Sequence, residues 1–168
     1  SLHVLESLDA EIKHYEYLHK DNSNPSKPLT EALMSQIGES GTIITWNMGF
    51  EKSCNSLIGS LLPEYAEFYE KLNDRIVDLM TPFSKNWYVD SGFKGSASIK
   101  YVLPALIPEL SHKNLDISEG ATAQRLWMEA VLDGKREDEK EKILDDLIEY
   151  CKLDTLAMVE IYKVLKKL

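Results

Sequence analysis

From about residue 137 to the end of the chain, Ile143, Leu147, Cys151, Met158, Ile161, Leu165 and Leu168 form one row, and Asp154 stands in it. Steps of 4, 4, 3, 4, 3, 4 and 3 residues are the stripe of an amphipathic helix. Tyr150 precedes Asp154 by one turn and shares nearly the same face. A carboxylate in an apolar stripe is costly unless a charged group, a hydrogen-bond donor or a cation meets it. Three readings follow. Asp154 caps a new helix beginning at Thr155, or forms a buried ion pair, or ligates a cation with the Tyr150 hydroxyl beside it.

The remaining pattern predicts strands first and helices later. Residues 1–5 are short and apolar, and residues 12–18 alternate around Tyr15 and Tyr17; both read as strands. A polar turn spans 21–27, a helix 29–37 and a loop 38–41. Thr42-Ile43-Ile44-Thr45-Trp46 is the clearest strand, β-branched and aromatic. It runs into Asn47-Met48-Gly49-Phe50-Glu51-Lys52, after which Phe50, Cys54, Leu57, Ile58 and Leu61 keep helical spacing. Asn47 is placed to tie this turn or cap the helix. Pro63 opens a further helix through Leu72, and 75–80 reads as a strand containing Asp78. Residues 98–106 form a short helix that Pro104 kinks or shortens, and 121–132 a longer one anchored by Leu126 and Trp127. The charged run 133–142 is solvated. There is no internal repeat and no glycine-rich phosphate loop. The fold class is α/β or α+β.

Composition narrows this little. The 168 residues make one domain, 1–168, with enough chain for a core. Cys54 and Cys151 lack metal-ligand spacing, which fits a reducing cytoplasm and gives neither a disulfide framework nor a zinc site. No apolar run is long enough to span a membrane, and there is no signal peptide.

The net charge of −9 argues against general affinity for nucleic acid. Residues 81–114 run against that balance. They hold Lys85, Lys94, Lys100 and Lys113 against Asp90 and Glu109, interleaved with Phe83, Trp87, Tyr88, Phe93 and Tyr101. Lysines among aromatics suit a single strand, through backbone contacts and base stacking. Taken alone, the segment reads as a surface loop whose aromatics pack inward.

Glu51 falls in the first turn of a helix, just past the end of a strand, where open α/β sheets place their chemistry. On position alone it is a favourable charge at a helix N-terminus, worth about 0.3–1 kcal/mol. Together, Asn47-x-x-Phe50-Glu51 and Tyr150-x-x-x-Asp154, about a hundred residues apart, resemble two of the three motifs of DEDD-type 3′–5′ exonucleases of the tyrosine subclass. Ile76-Val77-Asp78-Leu79 is similar to the strand after their second motif, and 96–103 to their small-residue-plus-leucine helix. The segments around Tyr150–Met158, Asn73–Met80 and Phe93–Lys100 also resemble an uncharacterised bacterial domain family, the C-terminal exonuclease-like part of longer proteins.

The resemblance implies a ribonuclease H-like mixed sheet flanked by helices. It implies two magnesium or manganese ions held in part by Glu51 and Asp154, with Tyr150 orienting the attacking water and Asn47 and Asp78 in support. The partners implied are single-stranded DNA or RNA and the rest of the chain's own protein. Glu51 stands where the wider superfamily has Asp. The first motif, Asp-x-Glu on an opening strand, has no match: Glu6, Asp9 and Glu11 are not in such a strand. The expectation is that the first strand and its motif lay upstream, leaving this chain inactive alone. Two other readings stand beside it. One is a ribonuclease H-like module that has lost catalysis and binds nucleic acid or protein. The other is an α-rich interaction module in which both motifs are coincidental.

Overall fold

A computed structural model describes residues 1–110, 115–117 and 119–167. The fold is mixed α/β and mostly helical, with two small sheets. Strands β1 (Leu2–Val4) and β2 (Lys13–Tyr15) pair antiparallel, with His3 opposite His14. Strands β3 (Ile43–Thr45) and β4 (Ile76–Asp78) pair parallel, with Thr45 opposite Asp78. Among the described residues the two pairs are separate sheets, in place of the single mixed sheet expected.

Helix α1 (Ser26–Ile37) precedes β3, and α2 (Met48–Leu61) and α3 (Ala66–Asp74) fill the crossover from β3 to β4. A short α4 (Thr81–Ser84), α5 (Ile99–Leu106, with Pro104 inside it), α6 (Gly120–Trp127) and the long α7 (Lys140–Leu165) follow. The expected helix over 121–132 is helical in two parts, since α6 passes into a π-type turn at Met128–Leu132.

Local chemistry explains the joints. Gly38 ends α1 at φ 63°, in the region that favours glycine. The Arg75 guanidinium donates to the carbonyls of Gly38 and Gly41 at 2.9 Å and of Ser40 at 2.5 Å, which closes the 38–41 loop onto the start of β4. At Gly59 α2 meets α3 with room for a methyl group: a Cβ there would stand 3.5 Å from Ala66 Cα and Tyr69 Cβ, an ordinary contact. The Tyr69 hydroxyl meets buried Thr30 Oγ1 at 2.7 Å, joining α3 to α1.

The apolar row of α2 does not become core. Phe50, Leu57 and Leu61 are 63%, 60% and 59% exposed. The helix packs instead through the face that carries Gly59. Periodicity marks an apolar face but does not say whether a neighbour covers it.

Among the described residues, two clusters hold most of the buried apolar side chains. One gathers Leu79, Phe83, Phe93, Val102, Leu103 and Ile107 with Ala157 and Ile161 of α7. The other gathers Ile117, Ala123, Ala130 and Val131 with Ile143, Leu144 and Leu147 of α7. A single helix thus anchors both clusters, and its stretch from 148 to 156 buries no residue fully. The stripe read from sequence is therefore interrupted: Cys151 is exposed, and Asp154 and Met158 are half-buried. Leu168 lies outside the described residues. Because α7 runs unbroken through Thr155, Asp154 does not cap a second helix.

The charged run 133–142 is largely exposed and held by ion pairs. Arg136 Nε donates to Glu129 at 2.8 Å, and Lys142 bridges Asp116 and Asp146. In the basic, aromatic segment, Phe83 and Phe93 are buried and Tyr88 packs against both, so three of its five aromatics belong to the core side. Trp87 and Tyr101 remain exposed, and Lys113 lies outside the described residues.

Candidate functional site

The unburied middle of α7 forms one wall of a cavity of about 290 Å³. Tyr150, Asp154, Thr155 and Met158 line it from α7. Trp46, just after β3, and Glu51, in the first turn of α2, line it from the strand–turn–helix. Ile99 and Lys100 line it from the first turn of α5. Glu51, remote in sequence from Tyr150 and Asp154, therefore faces one space with them. The cavity sits at the seam between the two cores: Tyr150 packs against one, Trp46 and Met158 against the other.

Asn47 and Asp78 stand behind the cavity wall and aim it. Asn47 is the N-cap of α2, in the left-handed region at φ 72°, a conformation Asn tolerates. Its side chain accepts the Phe50 N–H at 3.4 Å. The Asp78 carboxylate accepts N–H groups from Asn47 and Met48 at 3.1 Å and from Met80 at 3.0 Å. The end of β4 thus holds the turn that presents Glu51. Neither Asn47 nor Asp78 lines the cavity.

The electrostatics follow from burial. Burial pushes the Glu51 carboxyl above the ordinary carboxylate range. The Tyr150 hydroxyl is raised well above an ordinary phenol, first by burial, then by the Asp154 charge and the hydrogen bond it donates to that carboxylate. Cys151 and Glu119 add to the same field. At neutral pH Tyr150 is a neutral hydrogen-bond donor and no base. Gly120, the first residue of α6, lies beside it; a Cβ there would stand 3.7 Å from the hydroxyl oxygen.

Thr155 ties β1 to this wall. Its Oγ1 lies 2.8 Å from His3 Nδ1 and 2.7 Å from Ser1 Oγ. The His3 ring stacks on His14 with centroids 4.5 Å apart. Burial, then the charges of His14 and Lys152, hold His3 down at about 4.

Two carboxylates and a phenol hydroxyl offer hard oxygen donors, the kind that magnesium and manganese take. As a donor set they fit part of such a site. Among the described residues no three His, Cys, Asp or Glu side chains come together as a ligand group. Trp46, Thr155 and Met158 belong to the cavity, although their place in a strand and a helical stripe gave no sign of a role at a site. Lys100 lies within the basic, aromatic segment, which is the signal that pointed toward it. Glu119, at the N-cap of α6, joins the site only through its field on Tyr150 and an ion pair of 3.4 Å to Lys100.

Cys54 and Cys151 are both free thiols. Among the described residues no helix is long and apolar enough to cross a membrane. No curated protein and no solved structure matches the chain. A family model described as a domain of unknown function, DUF2779, matches residues 1–98. That span runs from β1 to the threshold of α5 and includes Glu51; Tyr150 and Asp154 lie beyond it. With more than half of its length matched, the chain belongs to the DUF2779 family.

Proposed function

We propose that this chain is a metal-dependent 3′–5′ exonuclease-like domain of ribonuclease H-like type, acting on the phosphodiesters of single-stranded nucleic acid. One observation supports it above the rest: Glu51 and Asp154, from two separate motifs, line the same cavity, with Tyr150 one turn before Asp154 on α7. Paired divalent cations, when bound, stabilise the attacking and leaving oxygens of a phosphodiester. Glu51 and Asp154 would hold them in part, and the missing donors would come from an Asp-x-Glu strand outside this sequence. Tyr150 keeps its proton and orients a water by hydrogen bonding while its hydroxyl rests on Asp154. Asp78 and Asn47 are positioning residues that fix the turn bearing Glu51.

The test is degradation of end-labelled DNA and RNA oligonucleotides in magnesium or manganese. This chain by itself should leave both intact, and a protein that places an Asp-x-Glu strand before it should shorten them from the 3′ end. In that protein Asp154→Asn should abolish activity, and Tyr150→Phe should lower it while metal binding persists. Full activity in Asp154→Asn would end the reading. A second reading, a module of the same type that binds without catalysis, draws on the incomplete ligand set among the described residues. Oligonucleotides left untouched by the completed protein in either metal would favour it.

A further inference from the structure

The cavity has one cation among its described lining residues, Lys100, facing the same space as Glu51 and Asp154. Its ammonium is half-exposed and held only loosely, 3.4 Å from the exposed carboxylate of Glu119. An exposed pair of that kind is worth roughly 0–1 kcal/mol and yields readily to a stronger anion. The next residue, Tyr101, is 42% exposed although it lies on a helix whose neighbours Val102 and Leu103 are fully buried. Lys94 stands over its ring, with Nζ 5.9 Å from the centroid. Lys94 thus lies on the Tyr101 ring, which still keeps open surface, and the preceding residue, Lys100, lines the cavity.

We infer that Lys94, Tyr101 and Lys100 form the entry track for a single strand, in which Lys100 leaves Glu119 to take a backbone phosphate at the cavity while a base stacks on Tyr101. The inference rests on the phosphodiester reading of the cavity and adds the residues that select an unpaired strand. A duplex keeps its bases stacked inward and has no free face for Tyr101, so the track discriminates by strandedness rather than by sequence. The phosphate and base contacts are common to DNA and RNA, and the experiment separates the two.

The experiment is fluorescence anisotropy of labelled oligothymidylate, oligouridylate and a matched duplex, titrated with the protein in EDTA over a series of salt concentrations. Working in EDTA keeps binding apart from hydrolysis. Both single strands should bind more tightly than the duplex. Lys100→Ala should make the salt dependence shallower by about 0.7 in log–log slope, the value for one lost phosphate contact on a single strand. Tyr101→Ala should weaken binding at least about fivefold with the slope retained. Glu119→Gln should tighten binding by up to about fivefold, because it frees Lys100; a purely structural pair would show no gain.

Circular dichroism of each variant checks that it is folded. An unchanged slope in folded Lys100→Ala, or a duplex bound as well as the single strands, overturns the inference. Cleavage by the completed protein without these binding effects would leave the phosphodiester reading in place and remove this one. The binding effects without cleavage would do the reverse.

Discussion

The carboxylate of Asp78 accepts the backbone N–H of Asn47 at 3.1 Å, across the ends of the parallel strands. The same carboxylate takes the N–H groups of Met48 and Met80. A single side chain thus satisfies three donors, two at the start of α2 and one just past β4. Asp78→Ala leaves those donors unanswered, two of them part-buried, and should lower stability by about 2 kcal/mol. For a chain of this length that is a fall of roughly 4–8 °C in melting temperature. Urea unfolding measures it, and a midpoint equal to wild type would remove Asp78 from its role as the clamp of this turn.

Acid should weaken the contact between β1 and α7. His3 is held at about 4 against an ordinary 6.5, so the unfolded chain takes up its proton first as pH falls. The stabilisation from neutral His3 is therefore complete above pH 6.5 and is lost as pH drops toward 4. The charges of His14 and Lys152 push in the same direction. Thermal midpoints measured between pH 7 and 4 should decline, and His3→Gln should flatten the decline. A His3→Gln profile parallel to wild type would show that other groups set it.

Metal should act through Glu51. Its carboxyl is raised by burial, so the ionised form opposes folding, and this penalty grows as pH rises through the folded value. A divalent cation reverses that term. At ten times its Kd it adds about 1.4 kcal/mol. Manganese should raise the melting temperature of the wild type only at high concentration, and neither Glu51→Gln nor Asp154→Asn should respond. A shift of equal size in Glu51→Gln would place the cation elsewhere.

Thr30 and Tyr69 give a prediction remote from the cavity. Thr30 is fully buried, and its hydroxyl lies 2.6 Å from the Ser26 carbonyl and 2.7 Å from the Tyr69 hydroxyl. Thr30→Val conserves shape but strands the Tyr69 hydroxyl in the core, at a cost of about 1–3 kcal/mol. Tyr69→Phe in the same background should recover part of the loss, since both polar partners are then gone. A double-mutant cycle on unfolding free energies shows whether the two positions are coupled.

The sequence by itself determined the elements that short-range chemistry encodes. β3 and the turn at Asn47 follow from β-branched residues feeding a capping side chain. The long α7 follows from its apolar steps, and the short α5 from Pro104 close to its end. It also singled out Glu51, Tyr150 and Asp154, because motif spacing is a property of the chain. It did not determine which apolar rows are covered. Phe50, Leu57 and Leu61 keep helical spacing yet face outward, since burial depends on what packs opposite and periodicity is silent about that.

Only the tertiary structure decided that the four strands form two separate pairs, and that α7 anchors two cores and leaves its middle open. That opening brings Trp46, Lys100 and Thr155 to the same cavity as the motif carboxylates. The physical reason is range. Caps, turns and helical stripes are settled within a few residues, whereas the cavity depends on contacts between positions about a hundred residues apart.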